Sequence, residues 1–190
     1  MKNDKIFIGV ALLLNIVAGL TYDYLMVYGE SKPNAASWAV WAFITILNAK
    51  SYKETSKDLV KYVFPVASAI LCIFTFGLTL FEGRVAFLRS FDLVVLLLGI
   101  LTSLIWWKTK SAKIAQIILQ ICVAIGFIPT YMSVAGDPHA EALLPWILWS
   151  FSFALHAYVV KLRKGKVIDF LYPVNSVVLH FAVAVMILVL

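Results

Sequence analysis

The sequence predicts an all-α polytopic membrane protein with seven transmembrane helices, arranged as a 3+1+3 parallel repeat of three-helix bundles. Three observations lead there. The 190 residues are 63% hydrophobic and 14% charged, with a mean hydropathy of +0.94. The apolar runs are continuous rather than alternating, which selects membrane helices and excludes a transmembrane barrel. The chain also repeats itself at a constant offset of 108 residues. Trp38-Ala39-Val40-Trp41-Ala42-Phe43 returns as Trp146-Ile147-Leu148-Trp149-Ser150-Phe151, and Phe64-Pro65-Val66-Ala67-Ser68 returns as Tyr172-Pro173-Val174-Asn175-Ser176.

The spans follow in order. The first, Ile6–Tyr28, comes after Lys2 and Lys5 and has the look of a signal peptide. No small-x-small cleavage site follows it, and it is the repeat partner of the fifth span, so it is read as a mature helix. The second, Ala36–Ala49, is short and opens on the first tryptophan pair. The third, Val60–Phe81, carries Pro65 in its first turn, where a missing N–H costs little. The fourth, Phe91–Trp107, has no partner in the repeat. Three helices per copy would leave the second copy inverted unless one extra crossing intervenes, and the fourth span is that crossing. The fifth, Ile114–Val134, carries Pro129 late in the helix, where proline frees a carbonyl and either kinks the helix or binds a ligand, or is an ordinary membrane-helix proline near an interface. The sixth is Leu144–Val160. The seventh, Phe170–Leu190, holds Pro173 in its first turn. The units are therefore residues 1–83, a linker helix in 84–110, and residues 111–190.

The net charge of +6 is a topology signal and not a nucleic-acid footprint. Of the 16 basic residues, 13 fall in alternate segments: Lys2 and Lys5; Lys50, Lys53, Lys57 and Lys61; Lys108, Lys110 and Lys113; and Lys161, Arg163, Lys164 and Lys166. Only Lys32, Arg84 and Arg89 belong to the other side. The positive-inside rule then places the protein in the cell (inner) membrane, with the N-terminus cytoplasmic and the C-terminus periplasmic or extracellular. Cys72 and Cys122 fall inside spans and read as packing residues.

Two motifs carry a resemblance. One is Lys32-Pro33-Asn34-Ala35-Ala36-Ser37-Trp38-Ala39-Val40-Trp41; the other is Gly126-Phe127-Ile128-Pro129-Thr130, followed by Pro138 and Glu141. With the helix count and the repeat, the chain resembles the SWEET / PQ-loop (MtN3-like) superfamily, and more closely a group of bacterial seven-helix membrane proteins. The resemblance implies two three-helix units that rock about a shared site, with proline acting as a hinge. The chain departs from the superfamily at the dipeptide that names it: Leu20-Thr21 and Pro129-Thr130 stand where Pro-Gln is expected. Its lysines also place the N-terminus on the opposite side from SWEET proteins.

Candidate site residues come from polarity inside the spans and from repeat position. Trp38, Trp41, Trp146 and Trp149 are either an interfacial aromatic belt or an aromatic clamp over a flat or sugar-like ligand. Asn48, His156 and Asn175 lie toward the lysine-rich end and read as either interhelical glue or the inner end of a site. Tyr131 and Asp23 complete the substrate-binding candidates, Asp23 as a cation or proton contact or a wetted acid at the interface. His180 and Asn15 lie near mid-membrane, and Gln116 and Gln120 share a helix face. Catalytic spacings of the His-Glu-x-x-His, Gly-x-Ser-x-Gly or Cys-x-x-Cys kind are absent, so the sequence predicts neither enzyme nor metal site nor cofactor. The reading is a transporter or facilitator for a small polar solute, with a non-transporting receptor or assembly subunit of the same fold as the alternative. Membrane lipid and the solute are the expected partners, nucleic acid is not, and a homo-oligomer is left open.

Overall fold

Apolar membrane helices conceal which face is buried, because lipid accepts the other face just as well. Burial resolves this for α1 (Lys2–Val27). Ile8, Ala11, Asn15, Ala18, Tyr22 and Met26 recur every three or four residues and are buried, whereas Ile6, Val10, Leu13, Val17, Leu20 and Tyr24 are exposed. One stripe meets other helices and the other is left for lipid.

The structure, a computed structural model, describes residues 2–31, 33, 35–82, 90–109 and 111–190. The expectations for Lys32, Asn34, Arg84, Arg89 and Lys110, and the unit boundaries drawn at 83/84 and 110, lie outside the described residues. After α1 come α2 (Ala35–Ser56), α3 (Leu59–Phe81), α4 (Ser90–Thr109), α5 (Ala112–Gly126) and α6 (Ile128–Gly136). A 3-10 turn (Pro138–Ala140), α7 (Leu143–Leu162) and α8 (Val167–Val189) complete the chain. Among the described residues there is no strand. Five stretches are long and apolar enough to cross a membrane: Asn3–Val27, Leu59–Phe81, Ala112–Gly136, Leu143–Leu162 and Val167–Val189. The chain is an all-helical, multi-pass membrane protein.

Three details differ from the sequence reading. The second helix is not short, since α2 continues to Ser56. The fifth span is interrupted at Phe127, so Pro129 lies in the first turn of α6, where its missing N–H costs little. α3 begins at Leu59, next to the Val60 read from the sequence, and α8 begins at Val167, about a turn before Phe170, so both prolines fall in the second turn. Asp58 caps α3 by accepting from the Val60 N–H, and Asp169 accepts from the Lys166 N–H to cap α8. Pro65 and Pro173 are therefore interior to their helices.

α1 packs on α3 and α7, α2 on α3 and α5, and α8 on α5 and α7. α4 lies against α2 and α5. The basic loops meet at one end of the molecule. Arg163 donates through Nη1 to Asp4 Oδ2 and through Nε to Asp58 Oδ2, each at 2.6 Å. Ser51 Oγ donates to the Ala112 carbonyl at 2.8 Å, bringing the third basic segment to the same end.

The α5–α6 break has a steric role. A Cβ on Gly126 would lie 2.8 Å from Trp41 Nε1. Trp41 is buried and held among other rings, so it has little room to move. Gly126→Ala is expected to destabilise the protein by about 1–3 kcal/mol through overpacking. The same change should shift tryptophan emission. Thermal unfolding in detergent with fluorescence readout checks both.

Candidate functional site

Four tryptophans meet in the middle of the helix assembly, all of them buried, at no more than 7% exposure. This excludes an interfacial belt, whose rings would face lipid headgroups. Their contacts come in matched pairs. Trp38–Trp41 ring centroids are 5.1 Å apart and Trp146–Trp149 centroids 5.3 Å apart. Across the interface, Trp38–Trp149 is 6.4 Å and Trp41–Trp146 is 6.5 Å. The helical spacing of three puts each pair on one face, and the cross-pair ring contacts show those faces turned toward each other.

Against this quartet lies a cavity of about 70 Å³. One water needs roughly 15 Å³ on such a measure, so there is room for about five waters. Its wall takes residues from α1, α2, α3, α5, α7 and α8 and includes all four tryptophans. Its polar groups include Asn15, Thr45, Ser68, Thr75, Ser176 and His180. Asn15 Nδ2 donates to Ser68 Oγ at 3.1 Å, and Ser68 Oγ donates to the Phe64 carbonyl. His180 Nδ1 lies 2.7 Å from the Ser176 carbonyl, so Nδ1 carries the proton there. The sequence pointed to the mid-membrane depth of Asn15 and His180 but gave them less weight than His156. Depth was the available signal, and nothing in the spacing said which faces would converge.

The other candidates sit around the cavity rather than in its wall. Toward the basic end, Asn48 Oδ1 accepts from Gln116 Nε2 at 3.0 Å and from Gln120 Nε2 at 2.8 Å. Asn175 Nδ2 donates to the Gln120 carbonyl at 3.0 Å and to its Oε1 at 3.3 Å. Asn48 and Asn175 thus join one amide network across α2, α5 and α8. His156 is not part of it. Its Nε2 lies 2.8 Å from the Lys61 carbonyl, and its ring stacks on Phe64 at 4.5 Å. Tyr131 donates to the Leu179 carbonyl at 3.0 Å. Asp23 is buried next to Thr75, and neither of its carboxylate oxygens has a hydrogen-bond partner.

The same basic end holds a layer that the motifs did not reveal. Pro65 has no N–H for the Lys61 carbonyl and Pro173 none for the Asp169 carbonyl, so both carbonyls lose their helical partner. His156 Nε2 takes the first, and Tyr52 OH takes the second at 2.6 Å. Between them, Lys61 Nζ meets Asp169 Oδ2 at 2.8 Å, with both side chains buried. Lys61 and Asp169 stand at the repeat offset of 108 from each other. That numerical relation was legible in the sequence, but an opposite-charge substitution at a repeat position does not look like a match.

At the opposite end, Tyr22 OH donates to Glu141 Oε1 at 3.2 Å, and the Ala142 N–H donates to Ser31 Oγ at 3.3 Å. Burial pushes the Glu141 carboxyl up to about 7, against bonds from Tyr22 and Trp146 that hold it down. Its ordinary value is 4.5, so the stability it lends as a neutral acid is complete below about 4.5 and lost as pH rises through about 7. The loss should amount to roughly 3 kcal/mol. Thermal melts between pH 4 and 8 should show this decline in the wild type, and Glu141→Gln should remove it. An unchanged slope in Glu141→Gln would assign the pH dependence to another group.

No family model, curated protein or solved structure matches the chain.

Proposed function

We propose that this chain is a small membrane transporter or facilitator that moves a small polar solute between two three-helix units. The units are α1–α3 and α5–α8, with α5 and α6 counted as one interrupted span and α4 as the linker. The observation that carries the proposal is the cavity at the interface, roofed by the tryptophan quartet and closed toward the basic end by the Lys61–Asp169 pair. The helix packing supports the repeat. α1 on α3 has its counterpart in α5 on α8, α2 on α3 in α7 on α8, and α1 on α7 in α2 on α5. α4 has no such counterpart. That correspondence supports the reading of a repeat with a single linker, in keeping with the SWEET / PQ-loop resemblance. The lysine bias makes the closed end cytoplasmic. Rocking one unit against the other would part Lys61 from Asp169 and open the cavity to that side. Among the described residues no group of three or more His, Cys, Asp or Glu could hold a metal ion.

The test is accessibility. Ser176 lies in the cavity wall. Ser176→Cys, with Cys72 and Cys122 both changed to Ala, gives a single thiol there. In membrane vesicles of known orientation, a membrane-impermeant maleimide should label it slowly from the basic side. Adding Lys61→Met should raise that rate. A thiol that is equally unreactive from both sides in both backgrounds would leave a static receptor or assembly subunit as the reading.

A further inference from the structure

The cavity wall holds no cationic side chain. Thr45 Oγ1 donates back to the Trp41 carbonyl at 2.7 Å, so it offers the cavity only lone pairs. Asn15 donates one amide N–H to Ser68 and keeps its carbonyl oxygen and a second N–H. His180 spends Nδ1 on Ser176 and leaves Nε2 as the acceptor of the neutral ring. Trp41 Nε1, tucked against Gly126, has no hydrogen-bond partner among the described residues, and the Trp146 indole is directed at Glu141. The wall therefore presents acceptors, an unpaired indole N–H and aromatic surface, and no lysine or arginine lines it.

A charge stands behind this wall. α1 and α3 run side by side through Asn15–Ser68, Gly19–Leu71 and Asp23–Thr75. Ser68, Leu71 and Thr75 all line the cavity. Asp23 is thus one side chain removed from it and 95% buried, and neither carboxylate oxygen has a hydrogen-bond partner among the described residues. The second acid at that end, Glu141, accepts from Tyr22 through Oε1, with the Trp146 indole beside it. No cation among the described residues pairs with either acid. A buried carboxylate without a counter-ion is costly, and a cation in the cavity would relieve that cost. Aromatic surfaces attract organic cations in addition.

We propose that the cavity takes a small organic cation of the ammonium class, with Asp23 as its counter-charge and the tryptophan quartet as its aromatic surface. This rests on the transporter reading of the same cavity and names its substrate class. Room for about five waters limits the solute to roughly five to eight non-hydrogen atoms in this conformation. An anion would meet the unpaired Asp23 carboxylate and no lysine or arginine, and is disfavoured.

The probes are tert-butylammonium and tert-butanol, which share shape and size and differ in charge. Each is titrated into the full-length protein in nanodiscs, with tryptophan fluorescence and thermal shift as readouts. The ammonium should bind at least roughly tenfold more tightly, the factor that about 1.4 kcal/mol of cation–aromatic and ionic attraction gives. Asp23→Asn should remove that preference and leave tert-butanol unchanged, while Asp23→Glu should keep it. Equal affinities, a preference that survives Asp23→Asn, or no saturable response to the ammonium would each overturn the assignment. The transporter reading has its own readout in the Ser176→Cys labelling, so the two can fail separately.

Discussion

Replacing Lys61 with Met is expected to cost about 3–5 kcal/mol of stability, because it leaves the Asp169 carboxylate buried without its ammonium. Asp169→Asn should cost a similar amount for the opposite reason, since it strands the ammonium while preserving an oxygen to cap α8. Both side chains are less than 10% exposed, so water cannot take the place of the missing partner. The double variant Lys61→Met/Asp169→Asn should recover most of the loss, because removing a buried pair altogether is often close to neutral. Chemical or thermal unfolding of the four proteins in one detergent gives the coupling directly. Additive losses would mean that the pair is not formed in solution, and would remove the proposed seal at the basic end. The cycle also separates stability from gating. The double variant should fold nearly as well as wild type, yet its Ser176→Cys thiol should react faster from the basic side.

Much of the architecture could be read from the sequence, because burial in a membrane is written in long apolar runs and in the placement of lysines. The tryptophans could be read too. Their repeat spacing foretold two equivalent helix faces, and the structure brings those faces together. What could not be read is which polar groups meet. Asn48, His156 and Asn175 sit at similar depths, yet Asn48 and Asn175 join through Gln120 while His156 turns to Lys61. Depth fixes a coordinate along the helix, and the partner depends on rotation about the helix axis. In an amphipathic helix the pattern of polarity reports that rotation, but in lipid both faces are apolar and the signal vanishes. Lys61 was read as one lysine of a topology cluster for a related reason. A loop lysine and a buried ion-pair lysine look alike until the start of α3 is known, and Asp58 sets that start nearly two turns before Pro65.

His156→Ala should be among the most damaging single changes, on the order of 4–5 kcal/mol, since it both opens a void and strands a carbonyl. The side chain is fully buried, stacks on Phe64 and lies 5.9 Å from Tyr52, ring to ring. A carbonyl oxygen can only accept, so Nε2 donates to Lys61 and the proton sits on that nitrogen. The stranded group exists because of Pro65. With Pro65→Ala, residue 65 regains an N–H and the Lys61 carbonyl recovers a helical partner. The cost of His156→Ala should then shrink by about 1–3 kcal/mol in the Pro65→Ala background, while the void is the same in both. His156→Gln keeps a donor and should retain most of the stability, and with it any solute binding that depends on an intact seal beneath the cavity. A cost of His156→Ala that is identical with and without Pro65 would show that the histidine acts through packing alone, and that the proline-freed carbonyl is satisfied in some other way.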